Sequence, residues 1–172
     1  MDKKISPYPY SADIAQQNDE TSLYNESLNK NKSCAEMIGN IIDDNERLRE
    51  YNVYDLRAAI NGLIAAFGME RMNWVLANTM QNNDDGRFSR SNMEWAKAFV
   101  IPKDRNMFSY DVLRHPVHID AFVKTAREIC SEFHSAQKND KPSILGQVKE
   151  NAASILPADK KDAQNKQNKL EV

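Results

Sequence analysis

Apolar residues recur at three- and four-residue intervals along most of this chain, and no long alternating run suggests a strand. The last such stripe is the cleanest: Ile119, Phe122, Val123, Ala126, Ile129, Cys130 and Phe133. On a helix of 3.6 residues per turn they share one face, and that face can be buried only against other elements. His115-Pro116 precedes the stripe, with proline in the first-turn position where its missing N–H is no loss. The expected fold class is all-α.

Earlier segments read the same way. Ser11 is placed to cap a short helix over Ala12–Gln17. Thr21 or Ser22 opens a long one carrying Leu23, Ser27, Asn31, Cys34, Ile38 and Ile41 on one face, and Asp43-Asp44-Asn45 is expected to end it. Asn52 is the expected cap of a third helix, with Val53, Leu56, Ile60, Leu63, Ile64 and Phe67 as its stripe and Gly68 as a left-handed stop. The segment Glu70–Gln81 is apolar around much of its girth at Trp74, Val75, Leu76 and Ala77, so it is predicted to be central. A turn follows over Asn82–Gly86, and Ser91-Asn92-Met93-Glu94 reads as a capping box for a short helix reaching Ala98. Pro102 closes that helix, and an irregular stretch continues to about Arg114. The pattern predicts one compact domain of five to six helices over residues 7–136, with Ile60, Phe67, Trp74, Leu76, Phe122 and Ile129 in its core. Composition changes near Gln137. Residues 137–172 are read as a flexible tail with a short docking motif over 143–148 and a disordered end rich in Lys, Asp, Asn and Gln.

Composition narrows the function classes. Only 41% of the 172 residues are hydrophobic and mean hydropathy is -0.71, which suits a domain with an unpacked extension. No run nears the ~20 apolar residues that span a bilayer, and Met1–Pro7 lacks a signal peptide's apolar core. The expected location is the cytoplasm. With a net charge of -2, the chain has neither the basic footprint of a dedicated nucleic-acid binder nor the acidic density of a DNA mimic. Cys34 and Cys130 sit in apolar stripes and read as buried, reduced thiols.

No motif carries catalysis: there is no nucleophile elbow, phosphate loop, dinucleotide fingerprint or zincin helix. The expectation is a binding protein, not an enzyme, without cofactor or metal. The turn Asn83-Asp84-Asp85-Gly86-Arg87-Phe88-Ser89 has the outline of an EF-hand loop, but its first and last ligand positions fall on Gln81 and Asn92, which removes the strongest oxygen donors. His115 and His118, with Asp111 nearby, lack a further ligand at metal-binding spacing. Gly68 between two helices outlines a helix-turn-helix whose second helix would offer Arg71, Asn73, Asn78 and Gln81 to bases. Arg87, Phe88 and Arg90, with Lys97, Lys103 and Arg105, form a basic-aromatic cluster around the turn. Two readings of it stay open: a solvated rim with Phe88 turned inward, or a partner-binding patch, since arginine and aromatic side chains anchor interfaces and touch phosphates.

Several ordered motifs add to this. They are Tyr8-Pro9-Tyr10-Ser11-Ala12, Arg71-Met72-Asn73-Trp74-Val75-Leu76-Ala77-Asn78-Thr79, Asp85-Gly86-Arg87-Phe88-Ser89, Asn92-Met93-Glu94-Trp95-Ala96-Lys97 and His115-Pro116. Across roughly residues 7–133 they resemble an uncharacterised domain family encoded on mobile genetic elements of Firmicutes and related gut bacteria. Tyr10 stands where that family more usually has histidine. Some small proteins of such elements are anti-CRISPR proteins. The resemblance therefore implies a candidate inhibitor of a type II effector, a Cas9-type nuclease, acting by protein contact with at most weak nucleic-acid contact. The alternative it implies is a DNA-binding, replication or conjugation accessory protein of a mobile element.

Overall fold

The structure is a computed structural model that describes residues 6–52 and 54–139. The described residues form six α-helices and two short 3-10 turns and no strand, so the chain is all-α. The proposed docking motif at 143–148 and nearly all of the predicted tail lie outside the described residues, as does Val53 of the third stripe.

Helix α1 (Ala12–Gln17) starts where Ser11 Oγ accepts the amide of Ile14 at 3.5 Å. Helix α2 (Thr21–Leu48) runs past the expected stop at Asp43-Asp44-Asn45 and closes in a 3-10 turn over Arg49–Tyr51. Its extension holds Glu46, Arg47 and Leu48, good helix formers with no glycine or proline among them, and Arg47 pairs with Asp44 at 2.8 Å. Asn52 does not cap the third helix. It takes a left-handed φ of 51° and ends the 3-10 turn, a conformation asparagine tolerates better than most residues. The cap of α3 (Leu56–Phe67) is Asp55, whose Oδ1 accepts the Ala58 amide at 3.0 Å. Gly68, at φ 86° and ψ 150°, ends α3 and begins α4 (Met69–Asn82), a joint that needs a residue without Cβ. Helix α5 spans Arg90–Lys97, and α6 spans Pro116–Asn139.

Helix α4 is central, as its girth predicted. Eight of its residues are buried, and it packs against α2, α3, α5 and the 3-10 turn over Met107–Tyr110. Ile38 and Ile42 of α2, Ile60 and Leu63 of α3, Val75 and Leu76 of α4, and Phe122 and Ile129 of α6 belong to one apolar cluster. Residues up to Glu132 make one compact unit. Two expected core residues and one residue of the α6 stripe differ. Trp74 and Phe67 are only partly buried at the cluster's edge, since Trp74 faces a tyrosine-lined cleft and Phe67 is the last residue of its helix. Phe133, last in the α6 stripe, is 44% exposed.

Phe122 is 2% exposed inside that cluster. Replacing it by alanine should remove about 3–5 kcal/mol of unfolding free energy, because a close-packed site collapses only in part. Urea denaturation measures this; a loss below about 1 kcal/mol would mean that the α6 register is wrong.

Candidate functional site

Two irregular segments, both held from the interior, frame a wide opening on the described surface. The first is the turn after α4. Asn83 Nδ2 donates to Thr79 O at 2.7 Å, and Gly86 takes φ 85°. Asp85 meets Arg87 Nε at 2.5 Å and Asp84 meets Lys97 Nζ at 2.8 Å, so both acidic residues of the calcium-like loop answer side-chain cations. Phe88 is 8% exposed and belongs to the core.

Beyond Phe88 the chain is fixed to α6. Asp120 Oδ1 accepts from Ser89 N and Oγ, each at 3.0 Å, and from Asn92 Nδ2 at 2.9 Å. Arg127 donates to Asn92 Oδ1 at 2.6 Å and lies 5.8 Å from the Trp95 ring centre, a cation–π distance. The expected capping box at Ser91–Glu94 is therefore not one. Helix α5 starts after Ser89, Asn92 is committed to α6, and Glu94 pairs with Arg90 at 3.0 Å.

The second segment runs from Met107 to Pro116. Asn78 Nδ2 donates to Met107 O at 2.7 Å and to Asp111 Oδ1 at 2.9 Å, while Asn82 Nδ2 reaches the same two acceptors at 3.2 and 2.8 Å. Thr79 Oγ1 accepts the Val112 amide at 3.0 Å. Two residues on, the Arg114 guanidinium grips both oxygens of Asp43 at 2.7 and 2.8 Å. That hydrogen-bonded pair holds the Asp43 carboxyl below its ordinary range. The fork lies over Gly39, where a Cβ would come 3.0 Å from Arg114 Cζ. Glycine there allows the arginine to lie against the backbone of α2.

Between turn and segment lies an open groove of about 530 Å³. Arg87 and Phe88 border it on one side, with Asp111 to Pro116 and Ile119 on the other. Leu113 is 80% exposed there. Burial pushes the Asp111 carboxyl up to about 6, against the lowering effect of the Asn82 and Asn78 amides.

Of the six cluster residues expected at an interface, only Arg87 and Phe88 border the groove. Arg90 and Lys97 lie on α5, each paired with a carboxylate. Lys103 and Arg105 are exposed and flank Asp104, which lines a separate cleft with Tyr8, Tyr10, Tyr24 and Tyr110. In that cleft Asp104 Oδ2 accepts from Tyr24 at 2.6 Å and from the Ala12 amide at 2.8 Å, tying the N-terminal segment to the loop.

The base-reading candidates of α4 turn inward. Arg71 and Asn78 are each 1% exposed; Arg71 donates to Ser27 O at 3.0 Å and to Asn31 Oδ1. Gln81 donates to Ala96 O and Phe99 O at 2.7 and 2.9 Å, and Asn73 contacts Cys130 Sγ. His118 pairs with Glu46 at 3.0 Å, and no group of three or more His, Cys, Asp or Glu among the described residues is gathered around a metal position. Cys34 and Cys130 are buried free thiols, and burial pushes Cys34 up to about 12. No described helix is long and apolar enough to cross a membrane.

A family model matches most of the described chain. The model, described as protein of unknown function (DUF3849), covers residues 7–131. The chain belongs to this family. The matched span ends one residue short of the compact unit's last residue, Glu132, so in this DUF3849 member the family match and the packed body nearly coincide. No curated protein and no solved structure matches the chain significantly.

Spacing placed Asp111 near two histidines and Asp43 at a helix end, and gave no sign of their actual partners, Asn78 and Asn82 for Asp111 and Arg114 for Asp43, which lie 29 to 71 positions away. Asp111 makes the testable case. Its folded-state pKa, about 6, exceeds the ordinary carboxyl value of about 3.9, so the stabilising contribution is full below about pH 4 and is lost as pH rises through 6. Asp111→Asn has no such dependence. Chemical denaturation of both proteins from pH 4 to 8 should show wild type losing about 1–2 kcal/mol relative to the variant, allowing for partial solvent screening. Parallel pH profiles would contradict the burial of Asp111.

Proposed function

We propose that this DUF3849 member is a binding protein that seats a segment of a partner protein in the groove between the 83–89 turn and the 111–116 segment, and that the partner is a Cas9-type nuclease which it inhibits by protein contact. The supporting observation is the groove itself: about 530 Å³, open, with exposed Leu113 at its edge and a frame fixed from below by side chains of α4 and from the side by Asp43. A frame held in place loses little freedom on binding, which favours recognition. That volume falls in the range of ligand-sized clefts, roughly 300–1,000 Å³. The nuclease as partner comes from the resemblance, and the net charge of -2 argues against DNA mimicry as the means.

The test mixes the full chain with a Cas9-type nuclease, with and without guide RNA, and measures co-elution and DNA cleavage. A complex forming without DNA and suppressed cleavage are expected. Arg87→Ala combined with Leu113→Asp should weaken inhibition at least tenfold while leaving the thermal midpoint nearly unchanged, since Leu113 is exposed and the Arg87–Asp85 pair is a surface one. Full inhibition by the double variant would remove the groove from the interface. Tight duplex binding that falls steeply with salt, with no nuclease complex, would establish the accessory DNA-binding reading instead.

A further inference from the structure

The groove contains a carboxylate that nothing in the fold answers with a positive charge. Asp111 Oδ1 takes both amide bonds, from Asn78 and Asn82. Its Oδ2 accepts no hydrogen bond from a described residue. No buried side-chain oxygen or nitrogen among the described residues is without a partner, so Oδ2 is not fully buried, and Asp111 is one of the residues that line the groove. The charged groups around it are engaged elsewhere: Arg87 faces Asp85, and Arg114 grips Asp43. Helix α4 contributes neutral amides, α6 contributes Pro116 and Ile119, and His115 is the remaining titratable group of the lining. No cation contributes to the ionisation of Asp111; burial and the two amides alone shift it. A second, independent feature is Leu113, an aliphatic side chain 80% exposed at the edge of the same groove.

We propose that the groove recognises a basic segment of its partner protein, with a lysine or arginine side chain placed on Asp111 Oδ2 and a neighbouring apolar side chain packed on Leu113. This rests on the reading of the groove as a protein-binding site and adds the chemistry of what it binds. A charge-assisted bond to a half-buried carboxylate is stronger than one between neutral groups, and it selects for sign. An acidic segment would face Asp111 with a like charge and is excluded by the same geometry.

The probes are three blocked tripeptides, acetyl-Leu-Arg-Leu-amide and its citrulline and glutamate counterparts, titrated into the full ¹⁵N-labelled chain. The arginine peptide should shift the amides of Val112, Leu113 and Arg114 and bind at least tenfold more tightly than the citrulline peptide. Asp111→Asn should abolish that preference while keeping a single cooperative unfolding transition, and Leu113→Asp should weaken the binding of the arginine and citrulline peptides alike. Between pH 7 and pH 5 the arginine peptide should weaken about tenfold as Asp111 takes up a proton, and His115→Gln should keep that dependence. Equal binding of arginine and citrulline peptides, or an unchanged preference in Asp111→Asn, would overturn the proposal. So would the absence of any shift in the groove. The two readings also fail separately. Arginine-selective peptide binding without a nuclease complex supports the basic-segment site and removes only the nuclease, whereas a nuclease complex indifferent to Asp111→Asn overturns the site and leaves inhibition standing.

Discussion

The fold depends on the polar row that α4 carries through an otherwise apolar interior. Arg71 reaches the backbone of α2 at Ser27, Asn78 and Asn82 hold Met107 and Asp111, Thr79 takes the Val112 amide, and Gln81 closes the carbonyl end of α5. Among these bonds, Thr79 gives the Val112 amide its acceptor where the irregular segment crosses the core, and the others tie α4 to oxygens of the elements around it. A buried guanidinium is costly to desolvate, and burial lowers the pKa of Arg71. Its bonds to Ser27 and Asn31 fix how α4 sits on α2. Apolar packing alone would tolerate sliding of one helix on another; directional bonds from one helix to three neighbouring elements tolerate much less.

The groove follows from the same clamps. A segment without regular structure, Asp111 to Pro116, keeps its path because it is held at Asp111 and Val112 by α4 and at Arg114 by α2. The opposite wall is tethered by Asp120 and Arg127 of α6, which hold Ser89 and Asn92. Charges on the rim are nearly all matched locally, Asp85 with Arg87, Asp84 with Lys97 and Asp43 with Arg114. Surface pairs of this kind contribute little to stability. Their effect is on the field at the groove, where the lining carboxylate left without a cation is Asp111. Membership of DUF3849 fixes the extent of the shared body and leaves the partner to experiment.

Periodicity is a local property, and what it encodes was legible. The all-α class, the central place of α4, the Ser11 cap, the proline start of α6 and the buried faces of α3 and α6 all follow from spacings within one helix. Cap assignments missed by a few residues: Asp55 caps α3 because the left-handed turn at Asn52 ends the preceding element, and α5 starts after Ser89, which Asp120 of α6 holds. The polar residues of α4 were legible as a set and not in their direction. Arg71, Asn73, Asn78 and Gln81 are side chains that read bases when they face outward and brace loops when they face inward. Spacing alone cannot tell which face is covered when the helix is apolar on most sides.

The sequence by itself therefore determined the helices, their apolar faces and the absence of known catalytic motifs, since these need only neighbours three or four residues away. Tertiary structure alone decided that Phe88 turns inward while Arg87 stays at the rim, that Gly39 admits the Arg114 fork, and that Asp111 faces a groove with no cation beside it. Those relations join residues far apart in the chain, 71 positions for Asp43 with Arg114 and 29 for Asn82 with Asp111. Burial and charge compensation at such separations are set by how helices dock, and no short-range pattern records them.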